Sequence, residues 1–451
     1  MRSAVTRKDF MTFGASVAAL AALPVHADSV ERKARWWKGN LHTHTFLSDG
    51  EAFPQEAALL YRKLGYNFLC FSDHNRTHVH CNKLCNEKTT KRFFRKNMAR
   101  FEKYFPGWLP KPVKGADGVE SYRLDTFDEM SRRLNKPGEF LLMSGCEWHN
   151  DTDFQLHCNV TNTFAEQHPY RFGSVETSFE DMFLQYEKKI GLDNDTSMFT
   201  VNHPVCWFFD LDPMMLVRHP QVQFFEVANC DSEPNVKPPK GMWTHDKFWD
   251  IILAHRFEQG LPPIYAVAVD DTHMYTPFYN EFEGGKHVIR GYVRIRSDEL
   301  EPNALVRALR RGDFHASTGV DLKDVQFDRR SRKLSVTVDA KPGLTYIIRF
   351  LGTKKGFDKT TTEVGPFTVV DLAEQQGVPR PTEGVARLQR RFKVYSDDIG
   401  AVLQETEGVS AEYAMRPNDL YVRAKIFVKA TPGMEDEVIP KTPVAWTQPF
   451  A

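Results

Sequence analysis

His42-Thr43-His44 is followed closely by Ser48-Asp49-Gly50, so two imidazoles and a carboxylate stand within one short stretch of chain. On an extended strand residues two apart share a face, and His42 and His44 can therefore chelate one ion. The same parity recurs downstream. Asp271-Thr272-His273 closes the apolar run Ile264–Asp270, and Glu147 and His149 follow the run that begins at Phe140. Ser72-Asp73-His74 ends another run; adjacent strand residues face opposite ways, so one of Asp73 and His74 is a direct ligand. His157, in Gln155-Leu156-His157-Cys158, and His203, in His203-Pro204, interrupt otherwise apolar strands. Imidazole and carboxylate together suit Zn, Mn or Fe, and the absence of thiolates from the set argues against a structural zinc knot. The chemistry that needs such a cluster is metal-assisted hydrolysis.

A single His-x-His carries little weight in a chain with 16 histidines. His78-Val79-His80 is a second such pair, and its polar loop reads as surface. The force lies in six strand ends presenting His, Asp or Glu. A non-catalytic metal-binding protein is the alternative, and the completeness of the ligand set argues against it. The chain has no Gly-x-x-x-x-Gly-Lys-Ser/Thr phosphate loop and no Gly-x-Ser-x-Gly elbow, and Gly284-Gly285-Lys286 is too short to count.

The elements that must position these residues alternate from Trp36 to about Val320. Strands are expected at Gly39–Thr45, Asn67–Ser72, Phe140–Glu147, Phe154–Thr161, Met198–His203, Val222–Ala228 and Ile264–Asp270, and helices at Pro54–Gly65, Thr126–Asn135, Ser178–Ile190, His245–Gln259 and Asn303–Arg311. This βα repetition predicts an α/β barrel or a doubly wound sheet, with function gathered at strand ends. An insertion at about 76–124 carries Lys91-Arg92-Phe93-Phe94-Arg95-Lys96. The spacing of Phe94, Met98, Phe101 and Phe105 is that of an amphipathic helix with a solvated basic face, lidding the site, rather than a nucleic-acid platform. Residues 321–451 turn to short β-rich runs, read as an antiparallel, sandwich-like domain without a catalytic cluster.

Lys+Arg and Asp+Glu both number 59, so no nucleic-acid or acidic-membrane partner is expected, and a small molecule is. Arg2, Arg7 and Lys8, the weakly apolar run Met11–Pro24 and Val25-His26-Ala27 read as a signal peptide over residues 1–27, implying export to a bacterial periplasm. Thr6-Arg7-Lys8-Asp9-Phe10-Met11 resembles a twin-arginine signal with Lys at the second Arg, which leaves the ordinary secretory route open; a buried N-terminal helix is the other reading. No later run is long enough to cross a bilayer. Seven cysteines cannot all pair: Cys81 and Cys85 are placed to form a small disulfide, while Cys70, Cys146, Cys158 and Cys206 read as buried apolar residues.

The order of motifs, His-x-His, Ser-Asp-Gly, Ser-Asp-His, Gly-x-Glu, His-Pro and a late Asp-x-His, resembles the polymerase and histidinol phosphatase (PHP) family over about Trp36 to Val320. The exported lead, the β domain, the stretch Arg310–Gly319 and the ending Ala445-Trp446-Thr447-Gln448-Pro449 are similar to the branch that includes carbaryl-type carbamate hydrolases. The resemblance implies a distorted (β/α)7 barrel holding two or three divalent ions. It assigns His42, His44, Glu147 and Asp271 to the first metal, Glu147, His157 and His203 to the second, and Asp49, His74 and His273 to the third. It further implies a hydroxide bridging two metals, with Asp271 shuttling its proton and His149 a weaker donor to the leaving group. Glu226, Asn229, Arg76 and Arg290 are candidate substrate contacts, as are the aromatics Trp148, Trp207, Phe208 and Phe209. A phosphoesterase is the first reading, and a carbamate, amide or ester hydrolase the second.

Overall fold

The computed structural model describes residues 35–79, 83–90, 95–115, 118–150, 156–205, 211–230, 243–275, 291–376, 389–429 and 443–451. The signal peptide, His80, Cys81, Cys206, Trp207, Phe208, Phe209, Gly284-Gly285-Lys286 and Arg290 lie outside them, as does the proposed Cys81–Cys85 pair; Cys85 itself is buried.

One large sheet organises the chain. Its strands, in chain order, are β1 (Trp36–Asn40), β2 (Phe68–Phe71), β3 (Leu141–His149), β4 (His157–Thr161), β5 (Met198–Val201), β6 (Phe224–Asn229), β7 (Tyr265–Val269), β8 (Tyr292–Arg296), β9 (Phe314–Ser317), β10 (Tyr346–Gly352), β11 (Ala401–Glu407), β12 (Arg423–Val428) and β13 (Val444–Thr447). They pair in the order β7-β6-β5-β4-β3-β2-β1-β8-β9-β13-β12-β10-β11. The first seven are therefore neighbours in sequence order, as a barrel requires, and β1, β2 and β3 are parallel, as are β5, β6 and β7.

Two features depart from the expected architecture. β4 runs antiparallel to both β3 and β5; only residues 150–156 separate β3 from β4, too few for the crossover that a parallel neighbour needs. The closed seven-stranded barrel is not formed as a continuous ladder either. The second edge of β1 is taken by β8, antiparallel, and the only pairing between the ends of β1 and β7 among the described residues is an isolated bridge, Thr43 to Thr272. The sheet is open, with that bridge at the point where the candidate ligands gather.

Helices α1 (Pro54–Lys63), α2 (Arg95–Tyr104), α3 (Phe127–Leu134), α4 (Val175–Lys189), α5 (Pro213–Arg218), α6 (His245–Glu258), α7 (Pro302–Arg310) and α8 (Val369–Gln376) complete the framework. Helix α3 starts where Thr126 caps the Glu129 amide and Glu129 returns a bond to the Thr126 amide, a reciprocal cap worth about 1 kcal/mol. Within the insertion, Met98, Phe101 and Phe105 are buried on or just after α2, as the spacing predicts, along with Asn97, and Phe101 meets Phe53 edge-on; Phe94 and the basic residues 91–92 before it lie outside the described residues. Among the described residues no helix is long and apolar enough to cross a membrane.

The strands are apolar on both faces. On β3, Leu141 and Met143 join one core with Phe68, Cys70, Val267 and Val269, while Cys146 and Trp148 face α4, α5 and α6. This alternation disposes of Trp148 as a substrate wall: it is a core residue whose Nε1 donates to the Ala165 carbonyl. The same parity carries Glu147 onward from Leu141 and Met143, Glu226 from Phe224, and Asp271 from Val267 and Val269, so three carboxylates continue apolar faces. After β9 every pairing is antiparallel. A three-stranded sheet of Leu322–Asp328, Lys333–Val338 and Ser410–Ala414 lays Leu334, Val336 and Tyr413 against Ile348, Phe350 and Ile426 of the large sheet, a sandwich-like packing.

Candidate metal centre

His42 and His44 lie just beyond β1, astride the Thr43–Thr272 bridge rather than inside a strand. The bridge does the strand's work: Asp271 N donates to His42 O and His44 N to Thr272 O, at 3.1 Å each, leaving both rings on one side. Their Nε2 atoms are 3.1 Å apart. Asp271 Oδ1 stands 3.1 Å from His42 Nε2 and 2.9 Å from His44 Nε2. Glu147 closes the group, with Oε1 3.3 Å from His42 Nε2 and Oε2 3.2 Å from His44 Nε2. All four side chains are buried.

Around this floor the remaining candidates converge. Glu147 Oε1 is 3.1 Å from His157 Nδ1 and 3.6 Å from His203 Nε2, and its Oε2 is 2.9 Å from His74 Nδ1. Asp49 Oδ1 lies 3.3 Å from His273 Nε2, 3.6 Å from His74 Nε2 and 3.9 Å from His44 Nδ1. Three tight groups result: His42, His44 and Asp271; His74, Glu147 and His157; and His44, Asp49, His74 and His273. The grouping differs from the sequence assignment in placing His44 and His74 in two groups or pockets, and in leaving His203 at the margin, 3.8 Å from Asp271 Oδ2. His149 stands at the rim, its ring 4.9 Å from that of His74 and 5.1 Å from that of His157. Arg76 is exposed. A separate group of Glu176, Glu180 and His219 joins α4 to the end of α5, where Arg218 already pairs with Glu176.

The donor chemistry fits divalent cations. Glu147 Oε2 and His74 Nδ1 are buried and 2.9 Å apart, yet neither makes an aligned hydrogen bond. A buried carboxylate oxygen and an imidazole nitrogen that face one another without a shared hydrogen bond suit a cation between them. The tautomers point the same way. Glu226 Oε1 accepts from His42 Nδ1 at 2.7 Å, which turns the Nε2 lone pair of His42 into the cluster.

Electrostatics in the metal-free protein reflect the crowding. Burial disfavours charge on His42, but Asp271, Glu147 and Glu226 more than reverse this and raise its pKa well above the ordinary value. Burial would raise Glu147 and Asp271, and the surrounding imidazoles instead hold both well below the usual carboxylate range. Among the imidazoles it is His42, His44 and His203 whose pKa this negative charge raises against the effect of burial. Burial, with a smaller contribution from His74, lowers His149, and burial takes His157 down to about 3. His203 and Asp271 adopt left-handed backbone, with φ of 29° and 52°, a strain that concentrates at functional sites.

Several residues that hold the site together were not singled out as such in the sequence. Glu226 and Asn229, expected at the substrate, are fully buried behind the ligands: Glu226 Oε2 accepts from His203 N at 2.8 Å and from Asn229 Nδ2 at 2.9 Å, and Asn229 also reaches Asp271 Oδ2 at 3.0 Å. Asn202 donates to Glu147 Oε1 at 2.7 Å. His78, read as surface, is buried and 3.0 Å from Asp73 Oδ2, because the insertion folds back over Asp73. Gly50 is required where it stands, since a Cβ there would lie 2.5 Å from the His44 carbonyl. Buried Asn or Glu in otherwise apolar strand ends was the available signal. Replacing Glu226 with Gln should weaken metal binding about 10–100-fold, through loss of the His42 tautomer, in calorimetric titration of metal-stripped protein. Unchanged affinity would remove Glu226 from this role.

No protein-family model matches the chain, and no curated protein matches it. Among solved structures, it is similar to a two-domain protein containing a predicted PHP-like metal-dependent phosphoesterase from Bacteroides vulgatus, at 14% identity and a TM-score of 0.39, over 92% of this chain and 96% of that one. It is also similar to an amidohydrolase from Chromobacterium violaceum, at 12% identity and a TM-score of 0.26, over 53% of this chain and 88% of that one. With TM-scores below 0.5, these likenesses carry no weight beside the geometry of the residues.

Proposed function

We propose that the chain is a metal-dependent hydrolase of PHP type, acting as a phosphoesterase on small phosphate esters. The observation that carries this reading is the convergence of His42, His44, Glu147 and Asp271 on one buried point, with Asp49, His74 and His273 stepping outward from it. His157 and His203 complete the set through Glu147. Bound divalent cations, Mn, Zn or Fe, supply Lewis acidity and a nucleophile at neutral pH. Three adjacent pockets match the charge that a phosphoryl group spreads over its oxygens.

The chain's own groups do the rest. Glu147 and Asp271 keep negative charge at the floor, and Asp271, steadied by Asn229, is the group placed to carry a proton there. His149, held toward the neutral form by burial, is the weaker candidate for protonating the leaving group. The same reading places the catalytic domain at 36–320, an accessory β domain at 321–451, and the protein in a bacterial periplasm after removal of residues 1–27.

Hydrolysis of p-nitrophenyl phosphate with added Mn, abolished by chelator and restored by metal, is the expected result. Hydrolysis of a naphthyl carbamate alone would overturn the phosphoesterase reading while keeping the hydrolase.

A further inference from the structure

Asp73 is adjacent to the ligand His74 and its carboxylate is fully buried, yet it points away from the cluster. It gathers donors instead. Oδ1 accepts from Thr45 N at 2.8 Å, Ser48 N at 3.0 Å and Ser48 Oγ at 2.6 Å; Oδ2 accepts from Thr45 Oγ1 at 2.8 Å and faces His78 Nε2 at 3.0 Å. These bonds draw both ends of the turn that carries Asp49 onto one carboxylate. Thr45 O accepts from Ser48 N and Gly50 N, so the turn is pinned from inside as well.

Ser48 extends the effect to a ligand ring. A serine hydroxyl has one hydrogen to give, and at 2.6 Å that hydrogen goes to Asp73. Its lone pairs then face His44 Nδ1 at 3.3 Å and accept from it. His44 is thereby held with its proton on Nδ1 and its Nε2 lone pair toward Glu147 and Asp271, as Glu226 does for His42.

We propose that Asp73, acting through Ser48 and backed by His78 of the insertion, is the positioning residue for the two cation pockets that share His44: the outermost, formed with Asp49, His74 and His273, and the one formed with His42 and Asp271. The inference rests on the metallohydrolase reading but makes a claim separable from activity. The outer pocket depends on this relay because Asp49 has no strand beneath it. The pocket of His42, His44 and Asp271 depends on it through the His44 tautomer, whereas that of His74, Glu147 and His157 does not, since Glu147 and His157 are fixed by the paired strands β3 and β4.

Calorimetric titration of the metal-stripped full chain with Mn alone tests it. Ser48→Ala should weaken one class of Mn sites at least about tenfold and leave the other within about twofold, and Ser48→Thr, which keeps the hydroxyl, should bind as the wild type does. Asp73→Asn should show the same selective loss, and the serine pair keeps the test decisive if that variant does not fold. Wild-type binding by Ser48→Ala, equal weakening of both classes, or failure of Ser48→Thr to rescue overturns the proposal. A wild type that binds Mn but hydrolyses neither ester nor carbamate overturns the functional reading and leaves this one standing. A wild type that takes up no Mn overturns both.

Discussion

Glu147→Gln is expected to lower hydrolysis about 10³-fold or more and to reduce bound metal in the same preparation. Four histidine rings lie within 3.3 Å of its two oxygens, two through Oε1 and two through Oε2, so no other residue is shared by as much of the cluster. The exchange is nearly isosteric but removes a buried negative charge and turns one acceptor into a donor facing imidazole lone pairs. Metal sites lower reaction barriers by several kcal/mol, and each 1.36 kcal/mol is a factor of about ten in rate. Asn202, which already donates to Oε1, would face the amide of the variant in one of its two orientations. Steady-state rates with metal analysis of the same sample check the result. Activity within tenfold of wild type, with metal retained, would take Glu147 out of the centre.

Arg423→Met is expected to cost about 3–5 kcal/mol of stability, seen as a lower urea midpoint, with the candidate metal ligands untouched. Arg423 is fully buried on β12 and forks onto Asp250 of α6, at 2.8 and 2.6 Å, while Nη1 reaches Asp246 at 2.9 Å. Its guanidinium also lies 4.6 Å over the Trp249 ring. Truncating it strands the buried Asp250 carboxylate and takes one of two cations from the half-buried Asp246, although Tyr421 still serves Asp250 and Lys425 still serves Asp246. Because paired charges repay little beyond their desolvation, Arg423→Met with Asp250→Leu should recover much of the loss.

The sign of the pH effect follows from Asp246. Burial would raise its pKa, but Lys425 and Arg423 hold it below the ordinary carboxylate value. A depressed folded-state pKa contributes stability that is complete above the unfolded value of about 4 and fades as pH falls below it. Acid titration should therefore weaken the wild type more than the double variant in that range.

The legible part of this protein was local. Thr126 and Glu129 announce the start of α3, Pro54 and Pro302 stand at the first turns of α1 and α7, and short apolar runs mark β2, β3 and β7 within a residue or two. The candidate ligands that close apolar strands, such as Glu147 and Asp271, also have local character, because a polar residue at the end of an apolar strand stands out. What the sequence did not disclose depends on partners far away in the chain. The reversed direction of β4 follows from a connection, residues 150–156, too short for a crossover, and the open sheet from β8 claiming the free edge of β1. The service of Glu226 to His42 and of Asp73 to Ser48 spans long loops that periodicity does not register. His78 illustrates the failure most clearly: a polar loop histidine became a buried partner because the insertion folds back over it.

The most direct test of the central claim is the metal content of protein purified without chelators, compared with the His42→Ala, His44→Ala double variant. Two or three equivalents of divalent metal in the wild type, falling below one in the double variant while the fold persists, is the predicted result. Equal metal content in the two proteins, with hydrolysis retained, would contradict the assignment of this cluster as the metal centre.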